Sequence, residues 1–537
     1  MSTATEERPV LTHRQILALM GGLMSGMLLA ALDQTIVATA MPTIVGKLGG
    51  LDHYSWVITA YLLAATATTP LYGKLSDLYG RLPLLRFGIV TFLIGSLLSG
   101  MAQDMTQLII FRGVQGLGAG GLMALSFTII SDVLAPRDRA RYQGLFGAVF
   151  GFSSIAGPLV GGYFADHDWR WIFYINIPIG IAALIITDRV LRVVPHRPRD
   201  HRIDWAGATL LVAGVVSLLL AATWGGTEYA WSSPVILGLL GGGLALALAF
   251  VYVETRASEP ILPLRLFRGR TFALGNMGGF VFGLGMFGAV IFIPMYLQVV
   301  KGTTPTDSGL LMVPMMAGII VTSILSGRAI SRIGRVKWAT VSGAVVMTVG
   351  LLLFAQLEVD TPLWVAFGYM VVLGIGMGLS MQSLVLAVQD GLELKDMGTG
   401  TSAVTFFRQL GGSFGVAILG AVLAARLDHW MAELLPRAIG KLPPGAAERL
   451  PGGSNRELLN EPSAILALPA PIRDAIQESF VHGLGTVFLV TAGVSVIAVV
   501  ITSLLPNTEL TAGPAIKRGK DADAPASPED IAAKAGV

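Results

Sequence analysis

Apolar residues run along this chain in long unbroken stretches, with no strand-like alternation between them. About 20 such residues span the hydrocarbon core of a bilayer as an α-helix. Stretches of that kind are predicted at 15–41, 54–73, 83–102, 106–131, 143–164, 171–190, 204–224, 234–253, 271–297, 306–327, 338–355, 362–388, 402–424 and 483–505. The expected fold is therefore an all-α membrane protein with fourteen transmembrane helices, and runs of helix length exclude an outer-membrane barrel. Lys and Arg crowd the loops after every even run: Lys74, Arg81 and Arg86, then Arg137, Arg139 and Arg141, then Arg192, Arg197, Arg199 and Arg202. Arg256, Arg265, Arg268 and Arg270, and then Arg328, Arg332, Arg335 and Lys337, continue the pattern, whereas the alternate short loops hold little more than Lys47, Arg170 and Lys301. The positive-inside preference then places both termini in the cytoplasm of a protein expected in the cell membrane. At the start, Arg8 and Arg14 precede an apolar run ending in Ala38-Thr39-Ala40, which imitates a signal-peptide cleavage site. That run is longer than a signal core and contains Asp33, so a retained first helix is expected.

The pattern also repeats. GKLSDLYGR at 73–81 is echoed by GRAISRIGR at 327–335, and the offset of 254 carries run 2 onto run 10, run 3 onto run 11 and run 4 onto run 12. Two six-helix halves are expected, 15–190 and 271–505, with 204–253 an inserted helix pair that preserves sidedness. Residues 1–14 form an N-terminal segment, and 425–482, with Trp430 and several prolines, an outer loop that could hold amphipathic helices or a surface hairpin. The tail 506–537, rich in Ala, Asp, Lys and Pro, is expected to be disordered. Parallel repeats of this kind are a known route to transporters whose substrate site lies at the midplane between halves.

Composition narrows the chemistry. Only 13% of residues are charged and 53% are hydrophobic, with a mean hydropathy of +0.69; soluble domains carry roughly 25% charged residues. Lys and Arg number 37 against 34 acids, a net +3 that leaves no broad basic face for nucleic acid. With Cys at 0 there is no disulfide, thiolate nucleophile or cysteine-held metal, and the 7 His (13, 53, 167, 196, 201, 429, 482) fall in loops or at run ends. No metal and no cofactor are therefore expected, and the absence of any GxxxxGK[ST] loop disfavours an ATP-driven pump. The 66 glycines point to closely packed helices.

Asp33 stands out, because an ionisable side chain inside a span costs on the order of 3 kcal/mol and is a functional candidate by default. It lies about eight residues before the outer end of run 1, and Arg112 about six residues inside the same face of run 4, so at about 1.5 Å per residue they match in depth. In such a pair, attraction favours the ionised acid and burial the neutral one, a balance suited to loading and releasing a proton. The alternative is a static buried ion pair. Gln34 and Gln115 lie close by and either complete a polar cluster, face a substrate cavity or serve as core hydrogen-bond partners. In the loop after run 2, Gly73 and Gly80 permit a tight turn, Asp77 and Arg81 place opposite charges four residues apart, and Asp132 is a third candidate member. Ser331 replaces the acid in the second copy, so a weaker cluster is expected there. Run 5 carries Gly144, Gly147, Gly151, Gly157, Pro158, Gly161 and Gly162, which leaves one face nearly bare for close helix approach and favours a bend at Pro158. In the last six runs Asp307, Asp390 and Glu393 fall near run ends, and only Arg408 lies well inside a span, near the cytoplasmic start of run 13, where it is expected to snorkel. Methionines replace charge there: Met277, Met286, Met295, Met312, Met315, Met316, Met377 and Met381. Flexible thioethers adapt to varied apolar ligands, so Met286, Met295, Met312 and Met381 are cavity candidates, with ordinary packing the alternative.

GKLSDLYGR, RGVQGLGAGG at 112–121, GPLVGG at 157–162 and LDQTIVATAMP at 32–42 together resemble the signature segments of the major facilitator superfamily. WRWIFYINIPIG at 169–180 narrows the resemblance to its fourteen-helix drug:proton antiporters. The resemblance spans about residues 15–505. It implies that the Asp77–Arg81 cluster is a conformational latch and that the Gly-Pro segment of run 5 marks antiport-type exporters. The function expected is proton-coupled export of small lipophilic or amphipathic compounds, multidrug efflux and hence antibiotic resistance, by alternating access. Its partners would be a small-molecule substrate, protons and the lipid bilayer, with no covalent chemistry and no enzyme activity. A specific lipid, siderophore or antibiotic is the alternative cargo, and a membrane receptor or scaffold the alternative of another class. Without a second deeply buried acid, dications are expected to be poorer cargo than neutral or monocationic molecules.

Overall fold

Backbone polar groups inside hydrocarbon must bond within their own segment, so apolar runs of this length fold as helices. The computed structural model describes residues 13–48, 54–191, 203–226, 228–440, 465 and 468–510. The terminal segment 1–12 and the tail from 511 lie outside the described residues. The helices are α1 (His13–Leu48), α2 (Tyr54–Tyr79), α3 (Arg81–Met101), α4 (Met105–Val133), α5 (Pro136–His167), α6 (Trp171–Tyr174) and α7 (Asn176–Leu191). They continue as α8 (Trp205–Trp224), α9 (Pro234–Glu254), α10 (Arg270–Met295), α11 (Pro305–Leu311), α12 (Val313–Ile333), α13 (Lys337–Phe354), α14 (Leu363–Asp390), α15 (Met397–Ile439) and α16 (Ala470–Ser503). Each predicted run contains a helix, and among the described residues 13 helical segments are long and apolar enough to cross a membrane. The remaining one, α2, is 26 residues long but rich in threonine. Its hydroxyls turn back onto their own helix, Thr68 to the Ala64 carbonyl at 2.7 Å and Thr69 to that of Ala65 at 2.8 Å.

Several helix ends lie five or more residues beyond the predicted runs, as at Leu48, Pro136 and Met397, and three departures change the architecture. The predicted run 171–190 is broken at Ile175 into α6 and α7. The run 306–327 is broken at Met312, beside Pro314, into α11 and α12. Much of the expected loop 425–482 is helix, because α15 continues to Ile439 and α16 begins at Ala470, while 441–464 fall outside the described residues. Charges at Arg426, Asp428 and Glu433 end the apolar run without ending the helix. Leu423, Leu427 and Met431, four apart on one face, stay buried against α16 and its neighbours. The extensions meet where Trp430 stacks on His482, ring centroids 4.2 Å apart.

The repeat has a geometric counterpart. Gly80 and Gly334, 254 positions apart, both have positive φ (96° and 76°) and end the helices α2 and α12. Gly73 lies against Gly398 where α2 crosses α15: a Cβ there would overlap Ser402 Oγ and meet the Gly398 carbonyl at 2.7 Å. With the same offset, Gly327 lies against Gly144 where α12 crosses α5, and a Cβ on Gly327 would overlap the Ala140 carbonyl. Helices α8 and α9 pack on each other, with α8 also touching α2 and α15. Leu237, Leu244, Leu248 and Tyr252 of α9 are exposed, as a lipid-facing helix requires. The loop after α9 is fixed by Glu254, which accepts from the N–H groups of Ile261 (3.0 Å) and Leu262 (3.2 Å), and by a 2.6 Å ion pair from Glu259 to Lys74 of α2.

Candidate functional site

Four helices build a closed polar cluster in an apolar setting. Asp33 of α1 is 0% exposed and Arg112 of α4 is 1% exposed. Arg112 Nη1 lies 2.5 Å from Asp33 Oδ2 and donates to Gln115 Oε1 at 2.7 Å. Gln115 Nε2, one helical turn on, donates to Asp33 Oδ1 at 2.8 Å. Asn176 Nδ2, at the start of α7, donates to the same oxygen at 3.2 Å and to Ser96 Oγ of α3 at 3.0 Å. The guanidinium rests on the Tyr61 ring, 4.2 Å from its centroid, and Arg112 Nε reaches the Val57 carbonyl at 3.4 Å. Three side-chain donors thus hold one carboxylate, which offsets the cost of taking the pair out of water.

Gln115 is therefore part of the charged cluster and has both ends occupied by it. Gln34, half-buried, faces the Tyr61 hydroxyl and makes no bond to Asp33. Asn176, Ser96 and Tyr61 escaped the sequence reading. Asn176 left one usable trace, a lone amide in the otherwise apolar stretch Phe173–Ile179, placed inward because the break at Ile175 restarts the helix there.

At the end of the bundle bearing Asp77 lies a second cluster. Arg81 is held by Asp77 and Asp132, each at 2.6 Å, and by Ser76 Oγ at 2.6 Å. Asp77 in turn accepts from the N–H of Gly398 (3.0 Å), the N–H of Thr399 (2.8 Å) and the Thr399 hydroxyl (2.9 Å). A carboxylate thereby meets the positive end of the α15 helix dipole. Gly73 allows this approach and Gly80 the turn that returns Arg81.

The second copy was expected to be weaker because Ser331 stands in place of an acid. Its contact is made with opposite charge instead: Arg137 at the start of α5 donates to the Ser331 and Arg332 carbonyls, at 2.6 and 2.7 Å, at the negative end of α12. Between these contacts Gln143 of α5 donates to Gln389 of α14 at 2.8 Å, and Gln389 reaches the Phe127 carbonyl and Thr401 Oγ1. Arg139, read in sequence as a loop charge, is fully buried and donates to the Ser131 (2.5 Å) and Leu134 (2.8 Å) carbonyls at the end of α4.

On α5, a Cβ at Gly157 would overlap Thr35 Oγ1, and one at Gly161 would meet the Ile36 carbonyl at 2.8 Å, so both glycines are needed where α1 lies against α5. Pro158 touches Gly309 of α11, and Gly162 faces Thr306 across an ordinary distance. Met312 and Met381 are packed inside the apolar cluster of the last six spans, Met286 and Met295 sit at its edge, and Met277 is exposed. Arg408 departs from expectation. Because α15 begins at Met397, five residues before the predicted run, Arg408 lies about three turns inside the helix and is buried, 5% exposed, instead of snorkelling to its end.

The profile of the Major Facilitator Superfamily matches residues 23–416. Multidrug transporter protein MdtP of Bacillus subtilis (strain 168) is 41% identical over 485 residues, covering 88% of this chain and 89% of that protein. Multidrug resistance protein 3 of the same organism is 36% identical over 501 residues, covering 91% and 96%. The solved structure of the proton:xylose symporter XylE bound to 6-bromo-6-deoxy-D-glucose superposes with a TM-score of 0.58 over 93% of this chain and 98% of the other, at 14% identity. That last likeness shows the fold alone.

Proposed function

The chain belongs to the major facilitator superfamily of membrane transporters, and we propose that it exports small lipophilic or amphipathic compounds from the cell in exchange for protons. The reading takes two six-helix halves, α1–α7 and α10–α16, alternating access around a central interface, with α8 and α9 an inserted pair. The positive-inside pattern supports both termini, and hence the Asp77 end, on the cytoplasmic side. The likeness to the multidrug transporter MdtP and to Multidrug resistance protein 3 supports a multidrug cargo.

The observation that carries the proposal is the Asp33 cluster. A carboxylate with no solvent exposure, neutralised by Arg112 and held by two further amide donors, has a task beyond stability, since apolar replacement of a buried pair is often neutral or stabilising. Protonation from outside would remove the charge that Arg112, Gln115 and Asn176 converge on, loosening α1 from α4 and α7. Release of that proton to the cytoplasm would restore the cluster and drive the return. Asp77 and Arg137, closing the cytoplasmic end across both helix crossings, would be broken in the inward-open state and remade in this one. Reconstituted Asp33→Asn protein tests the reading: it should bind cargo but fail to accumulate it against a gradient under an imposed pH difference. Uphill accumulation by this variant would refute Asp33 as the proton carrier.

A further inference from the structure

The last six spans hold a buried cation that the coupling cycle does not use. Arg408 makes no hydrogen bond and no ion pair among the described residues, at 5% exposure. On α14, Gln382 is also 5% exposed, and both its amide nitrogen and its amide oxygen lack a partner. Buried polar groups are ordinarily satisfied, and an unsatisfied one demands a reason. A guanidinium without a counterion is the costliest case.

Register places the two at one depth. Gln389 of α14 donates to Thr401 of α15 at 3.1 Å, and the helices run in opposite directions from the short connection between them. Gln382 precedes Gln389 by seven residues and Arg408 follows Thr401 by seven. Seven residues are close to two turns, so each stays on the face of its bonded neighbour and moves roughly 10 Å from that bond, to the same depth. That face meets the first six spans: Gln389 reaches Phe127 of α4, and Gln409, next to Arg408, reaches Thr69 of α2 and Met123 of α4. Met123 and Met381 supply adaptable apolar surface beside it.

We infer that Arg408 and Gln382 form the recognition point for a carboxylate, or a comparably acidic oxygen group, on an apolar cargo molecule at the interface between the halves. Arg408 supplies the charge-assisted donors, and the unpaired amide of Gln382 adds a further donor. The protein would then prefer amphipathic monoanions to isosteric amides and to cations. This deepens the export reading and rests on it. Equilibrium binding tests it without any transport step, so failure of coupling and failure of selectivity are separate results.

The experiment uses full-length protein in nanodiscs and three matched probes, 4-butylbenzoate, 4-butylbenzamide and 4-butyl-N,N,N-trimethylanilinium, titrated by intrinsic tryptophan fluorescence. Wild type should bind the carboxylate about tenfold tighter than the amide, and the cation most weakly. Arg408→Gln should erase the difference between acid and amide while keeping the ligand-free melting temperature, since it removes an unpaired buried charge. Arg408→Lys should retain most of the preference, and Gln382→Leu should reduce it by about threefold. If Arg408→Gln does not fold, those two variants carry the test. No saturable carboxylate binding by wild type, a wild-type preference for the amide or cation, or an unchanged preference in Arg408→Gln would each overturn the inference.

Discussion

The two sets of six spans handle buried polarity in opposite ways. In α1–α7, Asp33, Arg112, Gln115, Asn176 and Ser96 satisfy one another, leaving only Asn176 Oδ1 without a partner. In α10–α16, Arg408 and Gln382 are buried with no such closure, amid methionine and phenylalanine. In the proposed cycle the closed network would resist opening until a proton changes its charge. An open one waits for groups from outside. On the reading proposed above, the two sets would divide two tasks, coupling in the first and recognition in the second.

The strongest way to break that division is Asp33→Asn, which should reduce pH-driven uphill export to background while cargo binding stays within about twofold of wild type, about 0.4 kcal/mol. Binding measured on the same preparation separates the two, and a large loss of affinity would place Asp33 in recognition as well as coupling. Next in size is Arg112→Ala. Leaving the carboxylate buried without its cation should cost about 3–5 kcal/mol of stability, seen as a fall in melting temperature. Asp33→Asn combined with Arg112→Gln should recover much of it. If Arg112→Ala melts like wild type, the cluster does not hold α1, α4 and α7 together as a closed network.

The glycine crossings test whether the copies still behave alike as hinges. Gly73→Val and Gly327→Val put side-chain atoms into the backbones of α15 and α5 respectively. Overpacking of this kind costs about 1–3 kcal/mol, and here it would fall on the state closed at the Asp77 end. Both variants should therefore shift spin-label distances between α2 and α15, measured at the Asp77 end of the bundle, toward the open state. A shift in only one of them would mean that a single crossing governs closure.

Much of this was legible in sequence for a physical reason: in hydrocarbon, helix-forming runs, sidedness and any buried charge all stand out against apolar residues. Asp33, Arg112 and the Asp77–Arg81–Asp132 cluster could be found that way. What stayed hidden depends on neutral partners and on where helices end. Asn176 is an ordinary amide until the break at Ile175 aims it at Asp33, and Gly398 and Thr399 act through backbone N–H groups that carry no side-chain signature. Arg408 was misplaced because the apolar run starts later than its helix, and Met397–Thr401 is polar enough to look like loop. Arg137 was counted as one of many loop cations, since its role on the α12 carbonyls requires the crossing at Gly327 and Gly144.

The smallest expected effects distinguish the two latch contacts. Asp77 makes an ion pair with Arg81 and three hydrogen bonds to the start of α15, so Asp77→Asn removes charge from several contacts at once. Charged hydrogen bonds contribute roughly 1.5–3 kcal/mol, and turnover should fall about tenfold with folding intact. Arg137 is more exposed and donates only to two carbonyls at the end of α12, contacts that water can replace. Arg137→Gln should slow transport by no more than about threefold, in keeping with roughly 0.5–1 kcal/mol for a solvent-accessible contact at a helix end. The ordering follows from desolvation, because the Asp77 contacts are shielded by the close approach at Gly73 whereas the Arg137 contacts face solvent at the rim. Initial rates of proteoliposome uptake at equal protein content would measure both variants, and an Arg137→Gln defect as large as that of Asp77→Asn would mean that the second copy has kept a full latch by other residues.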